Sequence, residues 1–359
     1  MSNIKTALTS LYNRMKQEGP QTLPIGKDTR YIILSDQHKG AKNRADDFRH
    51  NHPVYNAAIT SYYEQGYTLV ILGDGEELWQ EPPRRIFPSY RDTYELEAKF
   101  YTEGRYLHIW GNHDIDWKES EKFAGKVKKY LKRDLFLGLL VKEGILFEVK
   151  EKDKVLGEML LTHGHQGTLT SDILIFISRP FIRYIWRPIQ RFFGVTYTSP
   201  ATDYELRRKH DRTMYEWAAG LDKFILITGH THRPVFSSRT HIGDLTEDLT
   251  GLEKALEENP NEKKLQEEII EKKAEIEYRK VKDTADTLQP SMNKPAYFNT
   301  GCCSYPDSDI TGIEICYEKR IEGYPAGVYI KLIRWSAKSG SPRCTTLRRA
   351  LLKEVYRSL

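Results

Sequence analysis

Cysteine is scarce in this chain, with four in 359 residues, two of them adjacent at Cys302 and Cys303. So few cannot form a disulfide framework at this length, and a reducing compartment is favoured. No apolar run reaches the length of a membrane span, and the stretch from Met1 to Lys5 lacks the apolar core of a signal peptide. The expectation is a soluble, cytoplasmic protein. Internal repeats are absent. An excess of one charge is missing too, since 55 basic against 50 acidic residues leave only +5. That balance suits an anionic substrate or a membrane surface and is too small to imply nucleic-acid binding.

What is present is a repeated alternation of short apolar runs and helical periods. Ile4, Leu8, Leu11, Tyr12 and Met15 have helical spacing and stop before Gly19-Pro20, so residues 1–30 read as an N-terminal helix and lead-in. Residues 31–359 read as one α/β domain. Its predicted strands are Tyr31–Leu34, Thr68–Leu72, Tyr106–Trp110, Glu158–Thr162, Phe224–Thr228 and Ala296–Asn299. Helices are expected over Pro53–Gln65, Arg91–Glu103 and Glu121–Lys132. Strand–helix–strand alternation of this kind predicts a largely parallel sheet. The tail adds strands at Ile313–Tyr317 and Val328–Trp335, then a basic helix from about Thr346.

Nearly every run ends in residues that bind metals. The six ends offer Asp36 and His38, Asp74, Asn112 and His113, His163, His230 and His232, and Asn299. Open α/β sheets place their ligands at these carboxyl ends. Imidazole and carboxylate suit Mn, Fe and Zn, and an amide carbonyl adds a neutral oxygen. Taken singly, each motif has a plain structural explanation: Gly73-Asp74 and Gly111-Asn112-His113-Asp114 could be turns. Two histidines at i and i+2 after a buried strand, as in Gly229-His230-Thr231-His232, are harder to explain by packing. Six of the eleven histidines (38, 113, 163, 165, 230, 232) fall in such motifs. Seven of these nine acting as ligands are too many for one ion and suit two, with Asp74 as the bridging carboxylate.

Together, Asp36-x-His38, Gly73-Asp74, Gly111-Asn112-His113-Asp114, His163 and Gly229-His230-Thr231-His232 resemble, in order, the five motifs of the calcineurin-like metallophosphoesterase superfamily. The resemblance implies a four-layer α-β-β-α sandwich of two packed mixed sheets. It implies two divalent metal ions, Mn with Fe or Zn as alternatives. Asp36, His38, Asp74 and His232 would hold one, and Asp74, Asn112, His163 and His230 the other. Two cations roughly 3.5–4 Å apart can share a hydroxide, lower its pKa and clamp the phosphate during in-line attack. His113 would then face the leaving-group oxygen as proton donor or charge stabiliser. Asp114 would either orient and charge-pair with His113 or cap the following helix.

Two segments interrupt the alternation and read as helical insertions, a cap over about 173–217 and a charged excursion over about 244–290. In the first, Arg179, Arg183, Arg187 and Arg191 recur every four residues among Phe181, Ile182, Ile185, Trp186, Ile189 and Phe192. Such a stripe fits an interfacial or acyl-chain-binding cap, and equally a solvated arm. The position of the insertion resembles the cap of UDP-2,3-diacylglucosamine pyrophosphatases, and Ser35-Asp-Gln-His-Lys-Gly-Ala-Lys42 resembles the opening motif of that branch; His113, His165 and Cys302-Cys303 depart from its pattern. The second carries a loose stripe of Leu252, Leu256, Leu265, Ile269, Ile276 and Tyr278, broken by Asn259-Pro260-Asn261. It reads as a helical hairpin, either solvated or a partner surface for a homo-oligomer. The expected function is a metal-dependent phosphoesterase, peripheral at the membrane if the arm binds lipid, with a lipid-linked nucleotide as alternative substrate. A nuclease or a catalytically silent scaffold is less consistent with these residues.

Overall fold

The computed structural model describes residues 2–167, 204–240 and 294–359 apart from 307, 321–323 and 339, with scattered positions between 249 and 277. In chain order, the first elements are α1 (Ser2–Glu18), β1 (Gln21–Pro24), β2 (Arg30–Leu34), α2 (His52–Glu64) and β3 (Thr68–Leu72). They are followed by α3 (Pro83–Ser89), α4 (Arg91–Thr102), β4 (Tyr106–Ile109) and α5 (Ser120–Leu131). Strands β5 (Gly144–Glu151) and β6 (Lys154–Thr162) precede α6 (Tyr204–Ala218) and β7 (Phe224–Thr228). The short strands β8 (Pro234–Phe236) and β9 (Arg239–Thr240) come next. Then follow β10 (Tyr297–Thr300), β11 (Ile310–Glu318), β12 (Gly327–Ser336), β13 (Arg343–Leu351) and α7 (Leu352–Arg357).

The strands form two mixed sheets. One has six strands in the order β13-β12-β11-β2-β3-β4, the other seven in the order β1-β5-β6-β7-β10-β8-β9. Each holds a parallel trio: β2 with β3 and β4, and β6 with β7 and β10. The remaining pairings are antiparallel except for β1 with β5.

The layering follows from the period of two along each buried strand. On β2, Ile32 and Leu34 face α2 and α4, while Ile33 faces the other sheet. On β7, Ile225 and Ile227 turn to the facing sheet, while Phe224 and Leu226 turn to α1 and α6. Strands buried on both faces read as unbroken apolar runs, which is why these were visible in the sequence. The result is an α/β sandwich with two packed sheets inside and helices outside.

Two expectations change. The basic C-terminal helix from about Thr346 is instead strand β13, which pairs with β12 from Tyr329↔Leu351 to Ser336↔Arg343, and only Leu352–Arg357 is helical. No residue of this edge strand is fully buried on either face, so it lacks the apolar alternation that marks a strand, and its Leu and Arg spacing imitates a helix. Second, Tyr204–Ala218, which the sequence assigns to the cap insertion, places Met214 and Ala218 in the core beside α1 and β7. Residues 173–203 of that insertion, and with them Arg179, Arg183, Arg187 and Arg191, lie outside the described residues, as does most of 244–290.

Candidate metal centre

The parallel registers bring the motifs to one edge of the sandwich. Leu34 aligns with Ile71 and Leu72 with Ile109, so the loops after β2, β3 and β4 leave together. The pairing continues into the loops: His38 N–H donates to the Asp74 carbonyl (2.9 Å) and Lys39 N–H to that of Gly75 (3.0 Å). In the other sheet, the Gly229 N–H donates to the His163 carbonyl (3.0 Å).

At these ends the chain turns sharply. Asp36, His38, Asp74, His230 and His232 all have left-handed backbone, with φ of 54°, 50°, 53°, 67° and 56°. Each such conformation costs on the order of 1–3 kcal/mol in a non-glycine residue. The neighbouring glycines allow close approach. A Cβ at Gly111 would fall on the Asp74 carboxylate, and one at Gly229 on Ser35 and Asp36.

Asp36 and Asp74 sit at the middle, both buried. Asp36 Oδ2 accepts from the Ser35 hydroxyl and the His230 amide (3.1 Å). Its Oδ1 has no hydrogen-bond partner and lies 3.1 Å from His232 Nε2, 3.8 Å from His38 Nε2 and 3.9 Å from His163 Nε2. Asp74 Oδ1 accepts from the His113 amide (2.8 Å), while Oδ2 stands 3.0 Å from His163 Nε2 and 3.8 Å from His38 Nε2. The Nδ1–H of His163 donates to the Leu72 carbonyl (2.8 Å), which aims Nε2 at Asp74.

Three groups result among the described residues, Asp36 with His38 and His232, Asp74 with His163 and His230, and His38 with Glu77 and His113; within each, one potential ligand atom per residue lies within 4.8 Å of the others. The residues fit divalent ions on the evidence of their orphaned atoms. Asp36 Oδ1, Asn112 Oδ1 and His163 Nε2 are buried without hydrogen bonds. Such atoms cost about 1–3 kcal/mol each unless a partner satisfies them, and a cation does so. Protonation states suit ligation at Asp36 and His230. Burial would lower His163, but Asp74 and Asp36 outweigh it and push that ring up to about 9, and His38 is also raised, so a cation must displace a proton from each of these rings. Burial would raise the Asp36 carboxyl, but His232 and His163 outweigh it and hold it well below the usual carboxylate range. Burial, then the charges of His163 and His210, lowers His230 well below an ordinary histidine, leaving its ring neutral.

The partner of His113 is Glu77. Glu77 Oε2 lies 2.8 Å from His113 Nδ1 and 3.3 Å from His38 Nδ1. Asp114 was expected to pair with His113 or cap a helix. Instead its Oδ2 accepts the Gly75 amide and its Oδ1 the Gly111 amide, both at 2.6 Å, tying the β3 and β4 loops together. Burial, then the charges of Asp74 and Glu76, push Asp114 up to about 8. Trp79 stacks on the His113 ring at 4.4 Å and donates to the Asn112 carbonyl (2.8 Å). Asn299 holds the Gly229–Thr231 loop, its Nδ2 donating to the Gly229 carbonyl (2.7 Å) and its Oδ1 accepting from Gly301 (2.9 Å). Sequence reasoning passed over Glu77 and Trp79; the one available sign was a Glu76-Glu77 doublet followed by Leu78-Trp79, charged residues leading into an apolar pair.

The family model for calcineurin-like phosphoesterases matches residues 29–234, more than half of the chain. The chain belongs to this family. No curated protein matches it. Membership in the calcineurin-like phosphoesterases and the Asp and His cluster support a metal-dependent phosphoester hydrolase. The match ends at Pro234, so Asn299 and the antiparallel strands β11 to β13 lie beyond it. Among the described residues no helix is long and apolar enough to cross a membrane.

Proposed function

We propose that the chain is a dinuclear metallophosphoesterase, with Asp36, His38, Asp74 and His232 holding one ion and Asp74, Asn112, His163 and His230 the other. The position of Asp74 Oδ2 carries this reading, since it lies between His163 and His38, one expected ligand from each set. When bound, two divalent cations supply Lewis acidity, lowering the pKa of water and neutralising phosphoryl charge. The protein's own part is positional. Amide donors fix the outer oxygens of both aspartates, so the inner oxygens stay aimed into the centre. Glu77 orients His113 through Nδ1, and Trp79 stacked on its ring limits rotation. His113 Nε2 is then the atom that gives a proton to, or stabilises charge on, the departing oxygen.

Within this class we favour an amphiphilic anion such as a lipid-linked nucleotide of the UDP-2,3-diacylglucosamine type. The support is the arginine and aromatic sequence of residues 178–193. The test is turnover by Mn²⁺-loaded protein of p-nitrophenyl phosphate, its bis-ester, a UDP-diacylglucosamine and single-stranded DNA. Asp74→Asn should lower metal content and reduce turnover by at least about 100-fold, in line with the loss of an essential electrostatic group. Full activity with both ions kept in Asp74→Asn would remove the bridging role. Selective turnover of the nucleotide lipid would decide the substrate class.

A further inference from the structure

Helix α6 brings a face of polar side chains to the metal centre. His210 Nε2 bonds the Gly164 carbonyl at 2.8 Å, and its ring lies 5.4 Å from that of His230. Asp211 Oδ1 accepts the Thr231 hydroxyl at 3.0 Å and the Tyr297 hydroxyl at 2.9 Å. Arg207 precedes these residues by three and four positions, hence one turn earlier on the same face of the helix. It is half-buried, and its Nε is fully enclosed without a hydrogen-bond partner. Its charge is felt at His232, where it opposes protonation of the ring.

A guanidinium is always charged, and an enclosed N–H without an acceptor is costly. Asp211, the carboxylate one turn away on α6, uses Oδ1 for Thr231 and Tyr297, and its Oδ2, which lies 3.9 Å from Arg233, makes no hydrogen bond to Arg207 Nε. Arg207 Nε thus has no acceptor among the described residues, and at the edge of this centre an anion is the chemical match. We infer that Arg207 is a substrate-binding residue that receives a non-bridging oxygen of a phosphoryl group from the His232 side. Guanidinium suits this role because its planar fork matches phosphate oxygens two at a time. The assignment rests on the phosphoesterase reading above for the identity of the anion.

The experiment is calorimetric titration of Mn²⁺-loaded protein with inorganic phosphate, alongside turnover of p-nitrophenyl phosphate. Arg207→Gln should weaken phosphate binding and lower kcat/KM by about tenfold or more, the scale of a lost charge-assisted hydrogen bond, with Mn²⁺ stoichiometry unchanged. Arg207→Lys keeps the charge without the fork and should recover part of both losses. Arg212→Gln is the control on the same helix, since Arg212 pairs outward with Glu216 at 3.0 Å. Wild-type phosphate affinity in Arg207→Gln, or an equal loss in Arg212→Gln, overturns the assignment. If the wild type binds phosphate tightly and hydrolyses no ester, the catalytic reading fails while the affinity ratio still judges Arg207. If it binds no phosphate at all, both fall.

Discussion

Two buried lysines in this molecule each sit between two glutamates, one beneath the metal centre and one in the outer strands. Lys39 Nζ lies 3.1 Å from Glu97 and 3.8 Å from Glu76. Tyr55 donates to Glu97 (3.0 Å), and Tyr94 and Trp117 donate to Glu76 (both 2.8 Å). Lys331 Nζ lies 2.5 Å from Glu314 and 2.9 Å from Glu318, with Tyr62 and Tyr67 each 3.0 Å from Glu314. The chemistry is the same and the setting is not. Lys331 and Glu314 are direct cross-strand partners on β12 and β11, far along the chain from any expected ligand. Lys39 follows His38, and Glu76 lies two residues after Asp74, so these charges are tied to the loops that carry the ligands. A buried ion network thus serves strand pairing in one place and ligand placement in the other.

The largest effect should come from Lys39→Met. It leaves two glutamates buried without their cation, a change worth about 4 kcal/mol or more. Chemical denaturation should show that loss, and metal analysis of the folded fraction should show fewer ions than in the wild type. Lys331→Met should cost about 3 kcal/mol, because Glu318 keeps some contact with solvent. Here metal content and turnover per folded molecule should stay at wild-type values; a fall in either would erase the distinction between the two networks.

The smallest effect sharpens the comparison through pH. His108 lies near Lys39, and burial, then the charge of Lys39, lowers it to about 3. In the unfolded chain a histidine titrates at about 6.5. Below that pH the unfolded chain takes up a proton that folded His108 refuses. The contribution of His108 is therefore complete above about 6.5 and shrinks as pH falls toward 3, by at most about 1.4 kcal/mol per pH unit. His108→Gln should show a shallower fall of stability than the wild type between those limits, with no difference in slope above pH 7. Equal slopes across the range would mean that His108 takes up its proton over the same pH range in the fold as in the unfolded chain.

The parts legible in sequence share one physical property. Strands β2, β3, β4, β6 and β7 are buried on both faces and end in Gly, Asp or His, so composition and position point the same way. Strand β13 was missed because its pairing, not its pattern, makes it a strand. Glu77 and the amide contacts of Asp114 were missed for a related reason. Their partners, His113 in one case and Gly75 in the other, lie more than thirty residues away and meet them only after the β3 and β4 loops align. Local sequence reported which residues could act, and the fold decided what each one touches.

The points at which the chain leaves and re-enters the described residues differ in their distance from the expected ligands. The chain departs after Gly167, four residues past His163, and returns at Tyr204, just before Arg207, His210 and Asp211. Gly167 itself packs against Asn3 and Ile4 of α1, while His165 and His210, near these two points, lie 6.4 and 5.4 Å from the His230 ring. The second stretch departs from β9, at the outer border of the seven-stranded sheet, and rejoins at Lys294 ahead of β10, whose far end carries Asn299. Changes of length in the first stretch thus enter the fold near the expected ligands, whereas the second stretch carries Ile269 and Ile276, both buried. Selection for a new substrate would be expected to leave its record between Gly167 and Tyr204.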